Sequence, residues 1–157
     1  MIMGYSKFQR ILLALDDSPC SDKVMEYAHS ILEGQEATLA LVTVIPPTSP
    51  ASYGADPLLG QQPIVVAEVA EIQQQAAQEY LDRLAADFTS VKEIFTFTRV
   101  GNIREEILTV AHEWAADLLI LGTNGKTGFE HFISGSVSES VIRKAQCPVL
   151  VIPSKCD

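Results

Sequence analysis

The chain has 157 residues, with 11 Lys and Arg against 20 Asp and Glu, a formal net charge of -9 and an apolar fraction of 47%. That length makes one domain with a full core and no need of disulfide or metal staples. An acidic chain lacks the electrostatic footprint for nucleic acid or an anionic membrane, no apolar run reaches the length of a span, and residues 1–10 lack the apolar core of a signal peptide. Neither nucleic acid nor membrane is therefore expected as a partner, and the expected location is cytoplasmic.

Ile11 to Leu15 is a continuous apolar run and predicts a buried parallel strand. It breaks into Asp16-Asp17-Ser18-Pro19. Ser18 as N-cap and Pro19 at the first helical position predict a helix with Val24, Ala28, Ile31 and Leu32 on its apolar face, stopped by Gly34. Leu39 to Ile45 predicts a second buried strand, closed by Pro46-Pro47. The proline-rich stretch 46–63 has little periodicity and predicts a mobile loop within a single domain spanning 1–157. Its Tyr53, Leu58 and Leu59 suit either a cover over a ligand or a plain surface excursion.

A long helix follows, with Val65, Val69, Ile72, Ala76, Tyr80 and Leu84 at spacings of three and four, and with Gln73-Gln74-Gln75 as a solvated face. Ile94 to Val100 is a partly polar run and predicts a strand at a sheet edge. Gly101-Asn102 caps a helix, with Glu105 at the capping-box position and Ile103, Ile107, Val110, Ala111 and Trp114 facing inward. Trp114 reads as core rather than ligand platform, and His29 and His112 as surface residues. Cys20, Cys147 and Cys156 are odd in number and widely spaced, which predicts free thiols in a reducing compartment.

The fourth strand, Leu118 to Leu121, runs into Gly122-Thr123-Asn124-Gly125-Lys126-Thr127-Gly128, and Gly135-Ser136 then opens a helix to Ala145; Pro148 to Pro153 predicts a last strand. The spacing is G-x2-G-x9-G-S. Glycines let backbone approach an anion, and the first N–H groups of a helix are unpaired at the positive end of its dipole, so this layout suits phosphate. It is not a Walker A loop, because Ile120 stands where the first glycine of that motif is required, and no G-x-G-x-x-G follows the first strand. Strand and helix alternate throughout, which predicts an α/β domain with a parallel sheet and helices on both faces. Ligands in such sheets bind at the carboxyl ends of the strands where the order reverses, which selects the loops after Leu15, Ile45 and Leu121.

Taken together, Ile11 to Ser18, Val42 to Ile45, Val100 to Ile103 and Gly122 to Pro153 resemble the nucleotide-binding universal stress proteins. The resemblance implies an adenine nucleotide alpha hydrolase-like, Rossmann-like sheet in the order 3-2-1-4-5. It implies ATP or another adenine nucleotide, alone or with Mg2+, between strands 1 and 4. Asp16 would face the ribose and adenine edge, with Ala14 and Val44 beside the base. Gly122, Gly125, Lys126, Thr127 and Gly128 would wrap the ribose and phosphates, and Gly135, Ser136, Val137 and Ser138 would supply N–H groups and hydroxyls.

The resemblance further implies a homodimer through Val149, Leu150, Val151 and Ile152, a regulatory protein partner, and no enzymatic activity beyond at most slow ATP hydrolysis. Glu130 and His131 stand where many members carry basic residues, which leaves the phosphate count open. Two alternatives remain. One is a response-regulator-like receiver, suggested by Asp16-Asp17; the other is an interaction module without a ligand.

Overall fold

The structure is a computed structural model that describes residues 8–47, 63–123 and 137–153. The elements alternate as β1 (Arg10–Ala14), α1 (Pro19–Leu32), β2 (Thr38–Ile45), α2 (Pro63–Ala85), β3 (Glu93–Val100), α3 (Ile103–Glu113), β4 (Leu118–Gly122), α4 (Val137–Lys144) and β5 (Val149–Ile152). All five strands pair parallel in the order β3-β2-β1-β4-β5. This is the order 3-2-1-4-5 expected from the sequence. It removes the receiver alternative, whose sheet runs 2-1-3-4-5.

Side chains of a strand alternate between faces, so each apolar run feeds two cores. On one face Ile11, Leu13, Leu39, Leu41 and Ile120 pack against Val24, Ala28 and Leu32 of α1 and Leu81 of α2. On the other, Leu12, Ala40, Val42, Leu119 and Leu121 meet Ile107, Val110 and Ala111 of α3, Trp114, and Val141 of α4. The central strands are covered on both sides, which is why they read as unbroken apolar runs. At the amino end of the sheet the Asp117 carboxylate accepts the N–H groups of Gln9 and Arg10 at 2.8 and 3.0 Å, tying β1 to the start of β4.

Local chemistry sets the helix ends. Asn102 caps α3, its side-chain oxygen accepting from the N–H groups of Arg104 and Glu105. Gly34 takes φ +71° just beyond α1, a left-handed conformation suited to glycine. Ser18 stands at the N-cap of α1 but makes no side-chain cap bond; its hydroxyl donates to the Asp16 carboxylate instead.

The inward face of α2 keeps Tyr80 and Leu84 of the expected stripe against the core, and Ala76 lines the cavity described below, but it differs elsewhere. Ile72 is 67% exposed and Ala76 is exposed as well, whereas Leu81 is fully buried and Gln73 is half-buried. Gln78 also turns toward the sheet, donating to Thr96 Oγ1 and accepting from Thr98 Oγ1 of β3. The polar edge strand therefore recruits a polar helix face. The expected mobile loop falls almost wholly on 48–62, outside the described residues. His29 and His112 are exposed, and Trp114 is buried in the core.

The expectation of free thiols needs correction at Cys20, which is disulfide-bonded; Cys147 is free.

Candidate functional site

The strand order reverses beside β1, and the carboxyl ends of β1, β2 and β4 open there into a cavity of about 470 Å³. Size and place both suit a small organic ligand. Its floor and walls are largely apolar, drawn from Ala14, Val42, Val44, Leu121, Ile103 and Ile107. Ala14, Val42, Val44 and Leu121 come from the carboxyl halves of their strands, where they also pack in or against the second core, and α3 closes the side with Ile103 and Ile107.

Asp16 and Asp17 form the acidic side, and the first turn of α1 adds Cys20 and Ser21. Asp16 is held from several directions. Its N–H donates to Ser21 Oγ at 3.0 Å, its carbonyl accepts from Ser21 Oγ and from the Tyr80 hydroxyl at 2.6 Å each, and its Oδ1 accepts from Ser18 and Ser21. Burial pushes the Tyr80 phenol above its ordinary range; the Ser21 hydrogen bond opposes this, and Asp16, Asp17 and Asp22 add to it. The phenol thus keeps its proton and remains a donor through neutral pH.

Of the residues singled out in the sequence, Ala14, Asp16, Val44, Gly122 and Val137 line this one cavity. Ser138 is buried, one residue further along α4, and is not part of the wall. A methyl group on Gly122 would meet Val24 Cγ2 at 3.4 Å, so this glycine lies close under α1. Gly125, Lys126, Thr127, Gly128, Gly135 and Ser136 lie outside the described residues. What sequence reasoning missed is α2: Gln73, Ala77 and Tyr80 line the cavity from a helix read only as core and solvent face. The signal lay in the polar side chains interrupting its stripe.

A model of the Universal stress protein family matches residues 7–153. The chain belongs to the universal stress protein family. A Staphylococcus aureus protein (strain USA300) named for the same family is 32% identical over 148 residues, covering 92% of this chain and 84% of that protein. Among solved structures, hypothetical protein MJ0577 superposes with a TM-score of 0.79 at 22% identity, covering 97% of this chain and 100% of that one. A universal stress protein in complex with cAMP gives a TM-score of 0.64 at 23% identity over 96% of this chain and 100% of that one. Another, from Archaeoglobus fulgidus in complex with dAMP, gives 0.53 at 18% identity over 94% and 99%. At these identities the structures establish the universal stress protein fold for this chain.

Proposed function

We propose that this universal stress protein binds an adenine nucleotide in the switch-point cavity, acts as a homodimer, and passes its bound state to a protein partner in the cytoplasm. The observation that carries the reading is the cavity itself, which combines apolar walls at Ala14 and Val44 with an acidic side at Asp16 and Asp17 and the start of α4 at Val137. The apolar walls suit a purine. Carboxylates repel phosphate, so the acidic side belongs to the ribose hydroxyls and base amino group, which donate. The phosphates belong toward α4, where unpaired N–H groups and the dipole favour negative charge.

Gly125, Lys126, Thr127, Gly128, Gly135 and Ser136 precede that helix in the chain and supply the glycine-rich approach and the hydroxyls. The relatives in complex with cAMP and dAMP share an adenine base and a single phosphate group, which supports the same ligand class here. Any Mg2+ arrives with the phosphates of a di- or triphosphate. Binding rather than turnover is the activity proposed.

The test is to denature freshly purified protein, identify any released nucleotide, and titrate the emptied protein with ATP, ADP, AMP, cAMP and GTP by calorimetry. Binding of adenine nucleotides in preference to GTP is expected, and Asp16→Ala should weaken it. A protein that binds none of them at millimolar concentration would be an interaction module with an empty cavity.

A further inference from the structure

We propose that Cys20 forms a reversible disulfide with Cys156 and that this bond is a redox switch on the nucleotide site, the oxidised protein binding nucleotide more tightly than the reduced one. The second half rests on the adenine-nucleotide reading above. Cys20 is disulfide-bonded and Cys147 is free, in a chain whose one other cysteine is Cys156, outside the described residues. Cys147 is also excluded by place. It precedes β5 at the amino end of the sheet and packs on the core under α3 and α4, whereas Cys20 lines the cavity at the carboxyl end, on the helix that covers the opposite face.

The reach is short. A methyl group on Gly122 would lie 3.9 Å from the Cys20 carbonyl oxygen and 3.9 Å from that of Ile152, so these two oxygens are within twice that distance of each other. Cys156 follows Ile152 by four residues, and four residues of extended chain span up to about 13 Å. A disulfide needs its Cα atoms about 4.4–6.8 Å apart, which that length permits.

The bond joins two sides of the cavity. Cys20 lines it beside Asp16, Asp17 and Ser21, and Gly122 and Thr123 line it from the end of β4. Ser21, next to Cys20, is bonded to the N–H, carbonyl and carboxylate of Asp16, while the Thr123 N–H donates to the Ile152 carbonyl at 3.1 Å. The disulfide therefore ties the turn that presents Asp16 to the strand ends from which the glycine-rich sequence departs. A nucleotide that contacts both must hold the same two sides together. Order imposed beforehand by the bond is not lost on binding, so the bridge raises affinity. By linkage, bound nucleotide favours the bridge by the same factor.

In a reducing compartment a bond of this kind is transient and redox-sensing. It forms when one cysteine of the pair, as thiolate, attacks a low-molecular-weight disulfide and releases one small thiol; the second cysteine then displaces the other. Two electrons and two protons pass from the cysteine pair to the small disulfide, which leaves as two thiols.

Peptide mapping of unreduced protein should find Cys20 joined to Cys156. A bridge to Cys147, a bridge between two chains, or three free thiols would overturn the pairing. Calorimetry with AMP should then show binding about five-fold or more tighter in glutathione disulfide than in reduced glutathione, and saturating AMP should shift the equilibrium constant with glutathione by the same factor. Cys156→Ser leaves the cavity wall intact and should bind AMP in both buffers as the reduced wild type does, whereas Cys147→Ser should keep the full response. Cys20→Ala should be equally insensitive to the buffer, an independent check should Cys156→Ser fold poorly. Equal or weaker binding by the oxidised wild type, or a redox response that survives in Cys156→Ser and Cys20→Ala, would overturn the switch. A wild type that binds no adenine nucleotide in either buffer removes the underlying reading instead, and the peptide map still decides the pairing.

Discussion

Arg10 grips the main-chain oxygen of Trp114. Its Nε and Nη2 donate to that oxygen at 2.9 and 2.6 Å, and its guanidinium carbon stands 4.2 Å from the indole ring centroid. The pair ties the first residue of β1 to the C-cap of α3 at the amino end of the sheet, opposite the cavity. Arg10→Ala should therefore lower the unfolding free energy by about 1–3 kcal/mol, through lost charge-assisted bonds and cation–π contact. Arg10→Lys should recover little, since an ammonium cannot reproduce the fork. Urea denaturation measures the loss, and calorimetry should find nucleotide affinity unchanged.

The Tyr80 phenol gives the protein an alkaline limit. Burial raises its pKa from the ordinary 10.0, opposed by the Ser21 hydrogen bond and assisted by Asp16, Asp17 and Asp22. A raised value means that the folded state holds the proton more tightly than the unfolded state does. The stability this contributes is complete below pH 10.0 and is lost as pH rises through the higher folded value. Thermal unfolding across that range should show a steeper alkaline decline for wild type than for Tyr80→Phe, which cannot ionise. Parallel declines would place the limit elsewhere.

The cysteines make a countable prediction. With Cys20 disulfide-bonded and Cys147 free in a chain of three cysteines, denatured but unreduced protein should titrate one thiol per chain, and three after reduction. In the native protein even that one should react slowly at neutral pH, because burial and then Asp117 push the Cys147 thiol up. Three thiols before reduction would restore the reading made from cysteine spacing.

Dimerisation is predicted at β5, which among the described residues pairs only with β4 and keeps Val149, Leu150 and Val151 half-buried. An apolar edge of this kind is an aggregation hazard unless something covers it, and a second copy about a two-fold axis would satisfy its free N–H and C=O groups. Leu150→Lys should convert a dimer to a monomer in sedimentation while circular dichroism keeps the native spectrum. A wild type that sediments as a monomer at micromolar concentration would remove the interface.

The strands were legible because central parallel strands are buried on both faces: Ile11 to Leu13 and Leu39 to Val42 are apolar without interruption and fully buried. The loops at the switch point followed from the alternation of strand and helix, the acidic turn at Asp16 from the break after Leu15, and the strand order from the family resemblance. Less visible was the rotation of α2. Its Ile72 points to solvent while Gln73 and Gln78 face the cavity and β3, although Tyr80 and Leu84 of the expected stripe do pack against the core. Tyr80 left no sequence signal of its role, because its partner is a main-chain carbonyl that any residue at position 16 would offer. The Cys20 disulfide was equally hidden, since pairing depends on three-dimensional approach and not on spacing.

β1 lies at the centre of the sheet yet precedes the other four strands of that sheet in the chain. Its partner β2 follows within the next thirty-odd residues, but β4 begins only at Leu118, and Asp117, which anchors β1 from that side, is 107 residues beyond Arg10. A nascent chain can thus assemble the half-sheet β3-β2-β1 while one edge of β1, wholly apolar from Ile11 to Ala14, remains open. Throughout that interval the growing polypeptide carries a sticky template, and a chaperone that shields it is useful until Leu118 to Leu121 docks. The pocket has no existence before that event, so any ligand it takes cannot assist the early steps of folding and can only hold the finished sheet together.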